Sequence, residues 1–74
     1  MKVTLEKYRE NNWHDLQISF TKKDAEEFIK HLQDLLSDSD PNSHFHYSNT
    51  FKEKEGIADL EICISEEEGN MTIG

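Results

Sequence analysis

Two histidines flank one phenylalanine at His44-Phe45-His46. Residues two apart on a strand share a face, so both imidazoles would project side by side. Two such nitrogens supply half of a tetrahedral zinc site, and Asp59, Glu61 or Cys63 from a neighbouring strand could complete it. A His-x-His pair is also short and common. The plainer reading is two surface histidines paired with acids across strands, each pair worth about 0.2–1 kcal/mol. The other two histidines, His14 and His31, sit at no ligand spacing with these. The sequence therefore implies no metal and no cofactor, and leaves His44 and His46 as the candidate ligands.

Other catalytic arrangements are poorly supplied. Cys63 is the only cysteine, so no intrachain disulfide can form. A reactive thiolate needs electropositive surroundings, whereas this half of the chain is acidic. Asp59 and Glu61 would share a strand face, but acid–base work needs one carboxyl in a dry pocket, and the flat outer face of a small sheet provides none. Only three glycines are present, Gly56, Gly69 and Gly74, too few for a phosphate-cradling loop. The sequence points away from an enzyme. Trp13 is the most informative single side chain: strand parity puts it on the polar face, where a large aromatic can anchor an interface. Otherwise it folds over a sheet edge into the core or stacks on Tyr8. Parity collects Trp13, Asp15, Gln17, His44, His46, Asp59, Glu61 and Cys63 on one open face. Of these, Trp13, Asp15, His44, His46, Asp59 and Glu61 are the candidate protein-binding residues.

Charge narrows the partner. The 74 residues hold sixteen acids and eight bases, a net charge of −8. Residues 1–20 carry three acids and three bases and balance, residues 21–42 carry six and three (−3), and residues 43–74 carry seven and two (−5). A field that grows more negative along the chain opposes nucleic-acid binding, which needs Lys and Arg on phosphates. It equally opposes an anionic membrane surface. It suits solubility or a basic protein partner. No apolar run approaches the ~20 residues of a membrane span, and no signal-peptide pattern opens the chain, so a cytoplasmic protein is expected.

The elements that must hold these residues follow from periodicity. Val3 and Leu5 alternate with polar neighbours, so residues 2–9 read as a strand. Glu10-Asn11-Asn12 makes a turn into a second strand, residues 13–20, with Leu16, Ile18 and Phe20 on one face. Thr21 and Asp24 are placed for a helix-capping box. Ala25, Phe28, Ile29, Leu32, Leu35 and Leu36 then form one apolar stripe of helical period. Pro41 stops that helix by residue 38–39. Residues 44–52 and 57–64 read as two more strands around a turn at Glu53-Lys54-Glu55-Gly56, and Met71-Thr72-Ile73 either adds a short edge strand or frays. The expectation is a single α+β domain over residues 1–74, order β-β-α-β-β. One amphipathic helix would pack on one face of a four-stranded, mainly antiparallel sheet. The third strand would land beside the first (2-1-3-4) or, as the alternative, parallel to the second.

Trp13-His14-Asp15-Leu16 in a strand, the helix from Thr21 to Leu36, and His44-Phe45-His46 followed by Ile57-Ala58-Asp59-Leu60-Glu61-Ile62 resemble small bacterial immunity proteins of polymorphic-toxin systems. The resemblance spans residues 13–64. It implies a non-enzymatic protein that binds and neutralises a cognate toxin, and it supplies no catalytic residue. Toxins with nuclease activity are often basic, and an acidic protein can occupy the surface that would hold phosphates. Two other functions remain open on the residues alone: a metal- or small-ligand-binding domain centred on His44 and His46, and a self-associating structural domain such as a homodimer.

Overall fold

The computed structural model describes residues 1–7 and 11–73. Five elements follow one another along the chain: β1 (Lys2–Lys7), β2 (His14–Ser19), α1 (Lys22–Ser37), β3 (His44–Ser48) and β4 (Asp59–Cys63). The expected strand positions Tyr8 and Arg9, and Glu10 of the expected turn, lie outside the described residues.

The helix begins where a capping box can satisfy its first free amides. Thr21 Oγ1 accepts from the Asp24 amide at 3.1 Å, and Asp24 Oδ2 accepts from the Thr21 amide at 3.3 Å. The amino group of Met1 lies 2.7 Å from Asp24 Oδ2, which ties the start of β1 to the start of α1. That contact is the largest cause holding the Asp24 carboxyl below its ordinary value. The helix ends at Asp38, whose backbone is extended and whose amide bonds the Leu35 carbonyl.

The single four-stranded sheet expected from the pattern does not form. Instead there are two separate two-stranded antiparallel sheets, β1–β2 and β3–β4. Within each hairpin, parity behaves as expected. Val3 faces Ile18 and Leu5 faces Leu16; Phe45 faces Ile62 and Tyr47 faces Leu60. What is missing is the hydrogen-bonded ladder between hairpins. Residues 44–52 and 57–64 also pair over a shorter stretch than expected, because the ladder runs out at Ser48–Asp59. Beyond it only Asn49 N–H to the Ala58 carbonyl continues the pattern. Phe51 then turns the chain with a positive φ of 56°, uncommon for a non-glycine residue. Met71-Thr72-Ile73 adds no strand.

An aromatic cluster joins α1 to β3. Phe28 of α1 stacks at 5.1 Å from Phe20 and meets Phe45 edge-on at 5.9 Å. Phe45 also meets Tyr47 at 5.7 Å and His31 at 5.2 Å. Such ring pairs add about 0.5–1.5 kcal/mol each beyond burial. They seat the helix on the apolar face of β3–β4. Burial pushes the Tyr47 phenol up, with the charges of Asp24 and Glu27 adding to it.

No described side chain is fully buried, however. Of the six-residue helix stripe, Ala25, Phe28, Leu32 and Leu35 are half-buried, while Ile29 and Leu36 stay exposed, Leu36 by 69%. The radius of gyration is 14.5 Å, against about 11 Å for a compact domain of this length.

Candidate functional site

The polar face of β3–β4 carries the densest arrangement of functional side chains. His44, His46 and Ser48 face Cys63, Glu61 and Asp59 in register. The face is exposed, on the opposite side from the aromatic cluster. His46 Nδ1 lies 2.5 Å from Asp59 Oδ2, and Ser48 Oγ donates to Asp59 Oδ1 at 3.0 Å. The bond from His46, then that from Ser48, holds the Asp59 carboxyl below its ordinary value. The His44 and His46 rings stand edge to face, 4.8 Å apart at 88°. Their Nε2 atoms lie 3.8 and 3.6 Å from the same Glu61 Oε1.

Local sequence explains why this face is orderly. Between α1 and β3 the chain runs through consecutive Asx turns: Asp38 Oδ1 accepts from the Asp40 amide and Asp40 Oδ1 from the Asn42 amide, each at 2.9 Å. Ser43 Oγ closes the loop onto Asp38 Oδ2 at 2.6 Å, and this bond is the main cause that lowers the Asp38 carboxyl. The loop delivers Asn42, whose carbonyl lies 2.8 Å from His44 Nδ1. At the other end Asn49 clamps the open side of the hairpin, donating from Nδ2 to the Ile57 carbonyl at 2.7 Å and accepting from the Phe51 amide at 2.8 Å.

Four of the six expected site residues, His44, His46, Asp59 and Glu61, therefore meet on one face. Trp13 and Asp15 belong to the other hairpin. Trp13 lies just before β2 and is 75% exposed, so it does not fold into the core; stacking on Tyr8 lies outside the described residues. Its amide bonds Asn11 Oδ1 at 3.0 Å. Cys63 is exposed opposite His44 but is not among the three residues whose ligand atoms converge. Sequence reasoning missed Asn42 and Ser48, the small polar neighbours that orient the histidines and Asp59. Asn42 acts through its backbone carbonyl, which the residue type does not signal, whereas Ser48 shares the strand parity of His44 and His46.

A second surface is apolar. Val3, Leu5, Leu16 and Ile18 share one face of β1–β2. Leu16 is 54% exposed and Leu5 and Ile18 39% each. With Trp13, Ile29, Leu36 and Phe51 the molecule presents far more large apolar side chain to solvent than a finished fold does. No described helix is long and apolar enough to cross a membrane.

No protein-family model, curated protein or solved structure matches this chain.

Proposed function

We propose that the chain is a non-enzymatic protein-binding domain whose fold is completed by a partner of opposite charge. The carrying observation is surface. The chain exposes 7231 Å², against about 4700 Å² for a compact protein of this mass. The excess of about 2500 Å² matches what a large obligate interface removes from one partner. Part of it belongs to residues 64–73, which form no regular element. Exposed apolar side chains on the hairpins, on the helix flank and at Phe51 contribute as well. With no described side chain fully buried, covering these faces would contribute much of the stability the chain lacks alone.

Charge selects the kind of partner. Two copies, each at −8, would repel one another, whereas a basic protein would be steered in. This agrees with the resemblance to immunity proteins and with a basic toxin as partner. Trp13, exposed just before β2, is suited to anchor the contact.

Self-association is the second reading, because the same exposed apolar face could pair with its own copy. Sedimentation and thermal melting over a hundredfold range of protein concentration separate the two. The proposal expects a marginally stable monomer with a constant melting temperature, stabilised by co-expression with the basic product of an adjacent toxin gene. A melting temperature that rises with concentration supports the homodimer. A monomer alone stable by more than about 5 kcal/mol, and unaffected by that product, contradicts both.

A further inference from the structure

The polar face of β3–β4 holds a feature that protein binding does not explain. One ligand atom each from His44, His46 and Glu61 lies within 4.8 Å of the other two. The Nε2 atoms of both histidines approach Glu61 Oε1 at 3.8 and 3.6 Å. Those separations are too long for hydrogen bonds. They approach the spacing of two ligands on one ion: atoms about 2.1 Å from a tetrahedral zinc are about 3.4 Å apart.

The hydrogen bonds on the far side of each ring decide what the Nε2 atoms carry. The Asn42 carbonyl can only accept, so the nitrogen facing it at 2.8 Å, His44 Nδ1, bears the proton. An Asp59 carboxylate oxygen faces His46 Nδ1 in the same way, at 2.5 Å, and accepts from its N–H. An imidazole in its neutral form, the form that binds metal, has one N–H, so each Nε2 then presents a lone pair. Two lone pairs and a carboxylate oxygen then converge on one small space. In that state a cation between them, a proton or a metal ion, relieves their mutual repulsion. Metal-ligating histidines characteristically donate their other N–H to a carboxylate or a backbone carbonyl, and both acceptor types are present here.

We infer that His44 Nε2, His46 Nε2 and a Glu61 carboxylate oxygen bind one divalent transition-metal ion, zinc by its donor set, with Asp59 and the Asn42 carbonyl as positioning groups. Two imidazoles disfavour calcium and magnesium, which take oxygen ligands. The ligands are exposed, so water fills the remaining position. The charge of residues 43–74, −5 with His neutral, adds attraction for a cation. The β3–β4 ladder fixes all three ligands and Asp59 on one rigid hairpin, and the loop ahead of it places Asn42.

Titration of the full metal-free chain with zinc chloride tests this, followed by calorimetry and by the side-chain nitrogen NMR signals of the four histidines. The expected result is one zinc per chain, with the Nε2 signals of His44 and His46 moving and those of His14 and His31 still. His44→Ala, His46→Ala and Glu61→Gln each weaken binding at least tenfold while the circular dichroism spectrum is retained. Asp59→Ala weakens it about tenfold to a hundredfold. Asp59→Asn recovers part of that loss, since an amide oxygen still accepts the Nδ1 proton. Cys63→Ser binds as tightly as the parent. Absence of zinc binding overturns the inference. So does binding that survives the His44→Ala/His46→Ala double variant, that shifts His14 or His31 instead, or that is lost with Cys63→Ser. An Asp59→Ala variant that binds normally overturns the positioning role.

Discussion

The two hairpins are built alike and end differently. Each pairs two short antiparallel strands with one apolar and one polar face. On β3–β4 the apolar residues Phe45, Tyr47, Leu60 and Ile62 are all half-buried, because two of them are aromatic and reach Phe28, Phe20 and His31. On β1–β2 the apolar face is aliphatic. Leu5, Leu16 and Ile18 extend less far and remain exposed. The hairpin that carries rings is the one in ring contact with the helix. The contrast teaches that a correct binary pattern builds a hairpin, while side-chain reach determines whether it joins a core.

Substitutions should separate the hairpins, the largest effect falling on the covered one. Phe45→Ala is expected to destabilise the isolated chain by about 2–3 kcal/mol, below the full range for a wholly buried Phe because the site is half-buried. Leu16→Ala should cost less than about 1 kcal/mol. Urea denaturation measures both, and equal costs would break the comparison. Next comes the open hairpin in its complex. Trp13→Ala should leave the free chain within about 0.5 kcal/mol of the parent. It should weaken partner binding by about 2 kcal/mol, roughly thirtyfold, as measured by calorimetry.

Smaller effects belong to the connections. Thr21→Ala removes one half of the capping box and should cost about 1 kcal/mol in urea denaturation. Asp38 gives the smallest effect, through pH. Its folded carboxyl is held below the ordinary value of 3.8 by Ser43. A lowered folded value stabilises fully above the unfolded value and is lost as pH falls through the folded one. The parent should therefore exceed Ser43→Ala in stability at pH 7, and the difference should shrink below about pH 4. A difference that grows in acid would contradict the Asp38–Ser43 bond.

Local features were legible and long-range ones were not. Thr21 and Asp24 announce the helix start because the capping bonds span only three residues. Pro41 likewise marks the helix end. The alternation of Phe45 and Tyr47 with His44 and His46 is enough to assign both faces of β3. Joining β1 to the second hairpin was a different kind of question. It depends on whether Val3 and Leu5 can share a core with Phe45 and Tyr47, forty or more positions away, and no local pattern encodes that. The helix stripe shows the same limit: Ile29 and Leu36 have the right period yet stay in solvent, because no sheet reaches that flank. At the site, parity placed Asp59, Glu61 and Cys63 on the same face as the histidines without distinguishing them. Their rotamers do: Asp59 turns to His46 Nδ1 and Glu61 to both Nε2 atoms. The Asn42 carbonyl is a backbone group, which no residue type advertises.

Hydrogen exchange on the dilute isolated chain tests the central contrast most directly. Amides bonded within β3–β4 and α1 should be protected, while those within β1–β2 exchange much faster and gain protection only when a partner is added. Equal protection of the two hairpins in the dilute chain would show that β1–β2 is already complete, and would contradict a fold finished by a partner.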